Sequence, residues 1–309
     1  MKIFSTKNKT VNIKSNTQLM ILSLPVIIYV FLFYYLPMFG MVLAFKDYKF
    51  NLGILGSEWN GFENFRFFFE SDAAFRVTFN TLAYNLVFIV LGLIINIIVA
   101  LLLNEIKNKA SIKIFQTTMF FPYFMSWVVV AFIVYSFLSP SYGIINKFII
   151  NAGGQKTNWY FKAEVWPYIL TFANIWKWLG YGVLINYAVL IGVDKSYYEA
   201  AEIDGASKLQ MAMKISLPML VPVILIQFTL NMGRIFNADF GLFYQLPQNS
   251  PLLYKTTDVI ETYVFRSLMD MHDIGMGTAV GLYKSVCGLV IVLVTNGIIK
   301  KIRPENALF

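Results

Sequence analysis

The chain is poor in the side chains that do chemistry. Among 309 residues it has one cysteine, Cys287, and one histidine, His272. A disulfide framework and a Cys/His metal cluster are both excluded by those counts, and we assign no catalytic or metal-ligating residue. Charged residues make up 14% of the chain. Asp and Glu are missing altogether from six long apolar runs, at 19–45, 78–103, 114–138, 166–191, 217–237 and 277–299. Ion-coupled carriers place a coupling carboxylate at membrane depth, so this absence argues against a stand-alone secondary transporter. A membrane-embedded enzyme would need Asp, His or Cys clustered at that depth, and the runs hold no such cluster. No G-x-x-x-x-G-K-[ST] phosphate loop occurs, so the chain does not hydrolyse ATP by itself. The glycines of GMGTAVG, Gly275, Gly277 and Gly281, have the wrong spacing for one; small residues for close helix packing are the expectation there.

What the chain has is apolar surface: 58% hydrophobic and 17% aromatic residues, with a mean hydropathy of +0.62. Soluble domains carry roughly half apolar and a quarter charged residues. Each of the six runs has about the 20 residues that a bilayer crossing needs. The expected fold is therefore all-α, a polytopic membrane protein with six transmembrane helices. A net charge of +8 suggests lysines flanking the spans and not a nucleic-acid partner. With six crossings, one face receives Lys2, Lys7, Lys9, Lys14, Lys107, Lys109, Lys113, Lys195, Lys208, Lys214, Lys300, Lys301 and Arg303. The other receives nine basic residues spread over longer loops. The positive-inside rule then makes the first face cytoplasmic, with both termini on it. The domain reading is a leader at 1–18, one membrane domain at 19–299 with a cytoplasmic loop at 193–217, and a tail at 300–309. The glycine- and aromatic-rich loop at 46–76 reads as short helices lying against the membrane surface, and the loop at 239–276 as the surface for an external partner.

The stretch 197–218, YYEAAEIDGASKLQMAMKISLP, is a polar, helix-forming insert between two apolar runs. It reads as two short helices hinged at Gly205, the first capped by Asp194 or Ser196 and the second by Asp204, with Pro218 restarting a membrane helix. Glu199, Ala200, Ala201, Asp204, Gly205, Ala206, Ile215, Leu217 and Pro218, at this spacing, resemble the EAA signature of permease subunits in ATP-binding-cassette importers. The resemblance implies a type I, maltose-permease-like fold in the bacterial plasma membrane. It further implies a coupling loop that docks on an ATPase, a second permease of different sequence, two ATPase subunits that bind the ATP and magnesium, and an extracellular solute-binding protein. Ala212 stands where that family usually carries a bulky aromatic. Segments at 37–65, 101–105 and 258–290 resemble the branch that handles oligosaccharides released from complex polysaccharides, such as pectic or alginate-like chains.

Three cations sit within spans: Lys177, Arg234 and Lys284. An intramembrane cation needs water or a partner. Lys284 is expected to snorkel outward or to pair with the second permease. In the resembled family the sugar site lies on the two helices flanking the coupling loop. Here those helices offer the aromatic faces of Trp176, Trp178 and Tyr181, the amides of Asn174, Gln227, Asn231 and Asn237, and the cations Lys177 and Arg234. The competing expectation is an interfacial aromatic belt with amides bridging helices. Two cations by the path would suit an anionic sugar, because guanidinium pairs bidentately with carboxylate. An importer of another solute class is the alternative.

Overall fold

A computed structural model describes residues 13–302. The leader lysines Lys2, Lys7 and Lys9, the Lys14 side chain and Arg303 lie outside what is described. Four helices are long and apolar enough to cross a membrane, and two bent pairs raise the number to six when each pair counts as one crossing.

The first crossing, α1 (Leu19–Phe45), is apolar on every side, and none of its most apolar stretch is buried within the chain. Such a helix belongs in lipid or against another subunit. It is not a regular helix, since a π turn at Phe31–Tyr35 precedes Pro37. Proline donates no N–H and its ring crowds the carbonyl four residues back, here Phe33; widening that turn relieves the clash. A two-stranded antiparallel pair follows, β1 (Lys46–Asp47) and β2 (Glu58–Trp59), with Lys46 opposite Trp59; it is the only sheet among the described residues. The helix at Glu63–Glu70 then leads into α2 (Asp72–Asn104). At 33 residues α2 is about 50 Å long, well beyond the hydrocarbon core.

The run at 114–138 departs from the expected straight crossing. It belongs to two helices, α3 (Lys109–Phe120) and α4 (Trp127–Leu138). The bend at the break is 101°. Pro122 ends the first, and Ser126 restarts the second by accepting the Val129 N–H at 3.3 Å.

Helix α5 (Trp166–Leu190) is the centre of the molecule. Its buried residues Trp166, Leu170, Ala173, Lys177, Gly180, Val183, Asn186 and Leu190 recur with helical spacing along one stripe. Gly180 and Gly182 allow the closest approaches: a methyl on either would overlap the backbone at Met119 or the side chain of Asn96. Beyond it come α6 (Lys195–Ile203), α7 (Lys208–Met232), α8 (Ile260–Met269) and α9 (Ile274–Ile302). Gly275 and Gly277 do pack closely, against Asn64 and Leu268, whereas Gly281 faces open space.

Three apolar clusters hold these helices. One, around Ala100, Leu103, Val183, Leu190 and Leu220, lies next to the loop between α5 and α7. The other two, around Trp166, Leu170 and Phe243 and around Phe68, Val77 and Ile260, lie towards the opposite end. There α2 also clips the 254–262 segment by polar contacts. The Asp258 carboxylate is buried; it accepts from Arg266 at 2.8 Å and from Arg76 at 3.2 Å. Asn80 donates to the Asp258 carbonyl at 2.9 Å, Thr81 accepts the Ile260 N–H at 3.0 Å, and Tyr84 donates to the Thr256 carbonyl at 2.6 Å.

Candidate coupling loop and translocation surface

The loop between α5 and α7 is built by its caps. Asp194 starts α6 by accepting the Ser196 N–H at 3.0 Å, and that bond, with the Ser196 hydroxyl, holds its carboxyl below the usual range. Asp204, Gly205 and Ala206 end the helix as one unit. Asp204 is the last half-helical residue, and Gly205 adopts a left-handed φ of 78°. The amides of Gly205 and Ala206 turn back to the carbonyls of Glu202 and Ala201, at 3.1 and 2.9 Å. These paired bonds satisfy carbonyls that the helix end leaves open. The second helix is not capped by Asp204, as the sequence suggested. Because α7 begins at Lys208, the capping position falls on Ser207. Its hydroxyl accepts the Gln210 N–H at 3.3 Å while the Gln210 side chain accepts the Ser207 N–H at 2.7 Å.

Pro218 does not restart a helix either. α7 runs continuously from Lys208 through a π turn at Ala212–Ser216 into the apolar span. Lys214, whose carbonyl the Pro218 ring would crowd, lies in that turn, so the device at Pro37 is repeated. The wide turn begins at Ala212.

The loop is fixed to the helix ends by the Tyr198 and Ser216 hydroxyls, 2.8 Å apart, and by Lys208 on Glu105 at 3.0 Å. Glu199, Ala200 and Asp204 are exposed, Ala201 and Ala206 half-buried. Ile203 is 87% and Leu209 73% exposed. Ala201, Gly205, Ala206, Met211 and Ile215 line a concavity of about 320 Å³ at the hinge, with Leu217 half-buried and Pro218 exposed just beyond. The capped loop thus carries two exposed aliphatic tips, Ile203 and Leu209.

The expected pathway residues separate into groups. Asn174, Trp178 and Tyr181 share one face of α5, at i, i+4 and i+7. Trp178 and Tyr181 are 40% and 45% exposed. They meet Tyr123 of the break between α3 and α4: Tyr181 stacks on it at 5.5 Å, and Trp178 meets it edge-on at 5.4 Å. Phe124, also exposed, extends this aromatic platform. The sequence reading missed Tyr123 and Phe124 because it took the run as one regular crossing; Pro122 within FFPYF was the available signal.

Trp176 turns the other way, packing on the cluster around Trp166. Gln227 donates to Asn186 at 3.1 Å, bridging α7 to α5 away from the platform. Asn231, Arg234 and Asn237 are exposed at and beyond the end of α7. Among the described residues no hydrogen bond, ion pair or ring contact joins them to the platform, and the Arg234 guanidinium makes no bond at all. Lys177 is 6% exposed. Its ammonium donates to the carbonyls of Pro122 at 3.3 Å, Tyr123 at 3.1 Å and Met125. Lys284 neither snorkels nor waits for a second subunit, since it pairs with Glu261 of α8 at 2.7 Å.

Comparison with known proteins agrees with this architecture. Residues 89–304 match the family described as binding-protein-dependent transport system inner membrane component. Protein LplB of Bacillus subtilis is 34% identical over 294 residues, covering 95% of this chain and 92% of its own length. The polygalacturonan/rhamnogalacturonan transport system permease protein YteP of the same organism is 34% identical, covering 93% and 89%. Among solved structures, a chain of a bacterial alginate ABC transporter, in complex with an alginate pentasaccharide-bound periplasmic protein, superposes with a TM-score of 0.85 at 32% identity, covering 96% of this chain and 98% of that one. The capped loop, the six crossings and these matches together place the chain in the family of inner-membrane permease components of binding-protein-dependent ABC importers.

Proposed function

We propose that this chain forms, with a second permease of different sequence, the pore of an importer that takes up an oligosaccharide from an extracellular solute-binding protein. The capped, Gly205-hinged loop with Ile203 and Leu209 exposed is the observation that carries this reading, because it offers an ATPase subunit a rigid handle on α5 and α7. Glu199, Ala200, Ala201, Asp204, Gly205, Ala206, Ile215, Leu217 and Pro218 shape that handle. ATP and magnesium would bind in two ATPase subunits, and this chain would supply no catalytic group. Closure of those subunits would reach the membrane helices through α5 and α7.

The substrate surface in this reading is the platform of Tyr123, Trp178 and Tyr181 with Asn174, followed along the path by Asn231, Arg234 and Asn237. Flat aromatic faces suit sugar C–H groups, and amides suit hydroxyls. The exposed, unpaired Arg234 favours an acidic oligosaccharide. YteP and the alginate transporter, by their names, handle polymers of that kind, which supports the same class. Basic residues facing the loop favour a plasma-membrane orientation with the loop in the cytoplasm.

The test is uptake by proteoliposomes holding the purified complex, with binding protein outside and ATP inside. Wild type is expected to accumulate labelled oligogalacturonate at the expense of ATP. Gly205→Pro, which forbids the left-handed hinge and removes the Glu202 bond, is expected to abolish uptake or release the ATPase. Uptake driven by an ion gradient without ATP would refute the reading. Arg234→Gln is expected to narrow the preference for acidic over neutral oligosaccharides by about tenfold or more, the cost of losing a charge-assisted pair of roughly 1.5–3 kcal/mol; an unchanged preference removes the acidic class.

A further inference from the structure

Lys177 sits on a joint of three segments. Its own helix, α5, ends at Leu190, beside the coupling loop. Its ammonium bonds three carbonyls at the break between α3 and α4, one of which, that of Pro122, also accepts the Met125 N–H at 3.1 Å. Below it lies the ring of Trp127, 5.2 Å from the ammonium to the ring centroid. The Trp127 indole N–H in turn donates to Asp239 at 2.6 Å. Asp239 caps the helix Phe240–Gln245 by accepting the amides of Gly241 and Leu242. Gly241 is what admits the ring, since a methyl there would overlap it.

We propose that Lys177 is a positioning residue, a strut that passes displacement of α5 on to the broken helix and so to the aromatic platform. The inference rests on the importer reading. The lysine lies 13 residues before Leu190, about 20 Å along the helix axis. Trp178 is its neighbour in sequence, and Tyr123 contributes both a carbonyl to the ammonium and a ring to the platform. When the loop moves α5, Trp178 and Tyr181 move with it; the three carbonyl bonds make Tyr123 and Phe124 follow as one body. Without the ammonium the two halves of the platform would separate under the same load. Direct contact with substrate is a poor role for this group, because an incoming sugar would have to displace bonds already made in a buried site.

Lys46 provides the internal control. It has the same construction, a buried ammonium donating to the carbonyls of Ile54, Leu55 and Ser57 beneath the Trp59 ring, but it clamps a loop that is not joined to α5.

The experiment uses the complete permease–ATPase complex carrying Cys287→Ser and Phe124→Cys, labelled with an environment-sensitive fluorophore at residue 124. Fluorescence is read on adding ATP with vanadate, and ATP hydrolysis is measured on the same sample. In the otherwise wild-type complex a shift is expected. Lys177→Met should lose most of it, several-fold per assembled complex, while retaining basal ATP hydrolysis. Lys177→Arg, which keeps the donors, should restore a large part, and Lys46→Met should keep the full shift. A Lys177→Met complex that responds like wild type overturns the proposal. So does a Lys46→Met complex that loses as much, since that indicates general loosening. If ATP and vanadate produce no shift in the wild-type complex, the importer reading falls and takes the strut with it.

Discussion

At the scale of single residues, the buried charges are defined by the atoms they touch. Asp258 has no exposed surface on its carboxylate and holds two guanidiniums. Removing it leaves Arg266 buried and unpaired, so Asp258→Ala is expected to destabilise the chain by about 3–5 kcal/mol, read as a large fall in unfolding temperature in detergent. The exposed pair Lys49–Asp47 has the same chemistry at 3.3 Å; in solvent such pairs are worth under about 1 kcal/mol, and Asp47→Ala should change the temperature little. The sequence marked Lys177 and Lys284 as charges needing partners, which they are. It gave no way to name those partners, because Lys177 finds carbonyls more than fifty positions back in the chain and Lys284 finds Glu261 of another helix. Arg234, expected within a span, lies two residues past the end of α7 at Met232, and its guanidinium stays free among the described residues.

At the scale of elements, capping and proline chemistry set most boundaries. Ser207 with Gln210 fixes where α7 begins. Ser207→Ala is expected to cost about 1 kcal/mol of local stability, seen as faster amide exchange over 208–211 with the exchange of α5 unchanged. Legibility here was uneven. Asp194 as a cap and Gly205 as a hinge could be read from local rules, and the DGA triplet is explained by the paired turn-back bonds. Asp204 was misplaced as the second cap because the length of the hinge was misjudged by three residues. The run at 114–138 has the composition of a straight crossing, and only the 101° bend shows that Pro122 and Ser126 make it two elements. Composition reports how apolar a segment is, and says little about where a turn within it points.

At the scale of the whole molecule, most of α1 stands apart from the packed helices and only its last turns, Phe39–Phe45, pack on α9, while α2, α5 and α7 converge on the loop. Orientation is a prediction at this level. In a Cys287→Ser background, Ile203→Cys is expected to react with a membrane-impermeant maleimide in inside-out vesicles and to be protected in right-side-out ones; the opposite pattern would reverse the topology. The sequence by itself determined that this is a six-crossing, all-α membrane protein of the permease kind. Apolar run length, missing carboxylates and the EAA spacing are one-dimensional properties, and the bilayer makes each of them decisive. Only the tertiary structure decided which charges are free and which are held, and which aromatics face outward together. Those outcomes depend on contacts between residues far apart in sequence, such as Tyr123 with Tyr181 or Asp258 with Arg76, and no local pattern encodes the angle at which two helices meet.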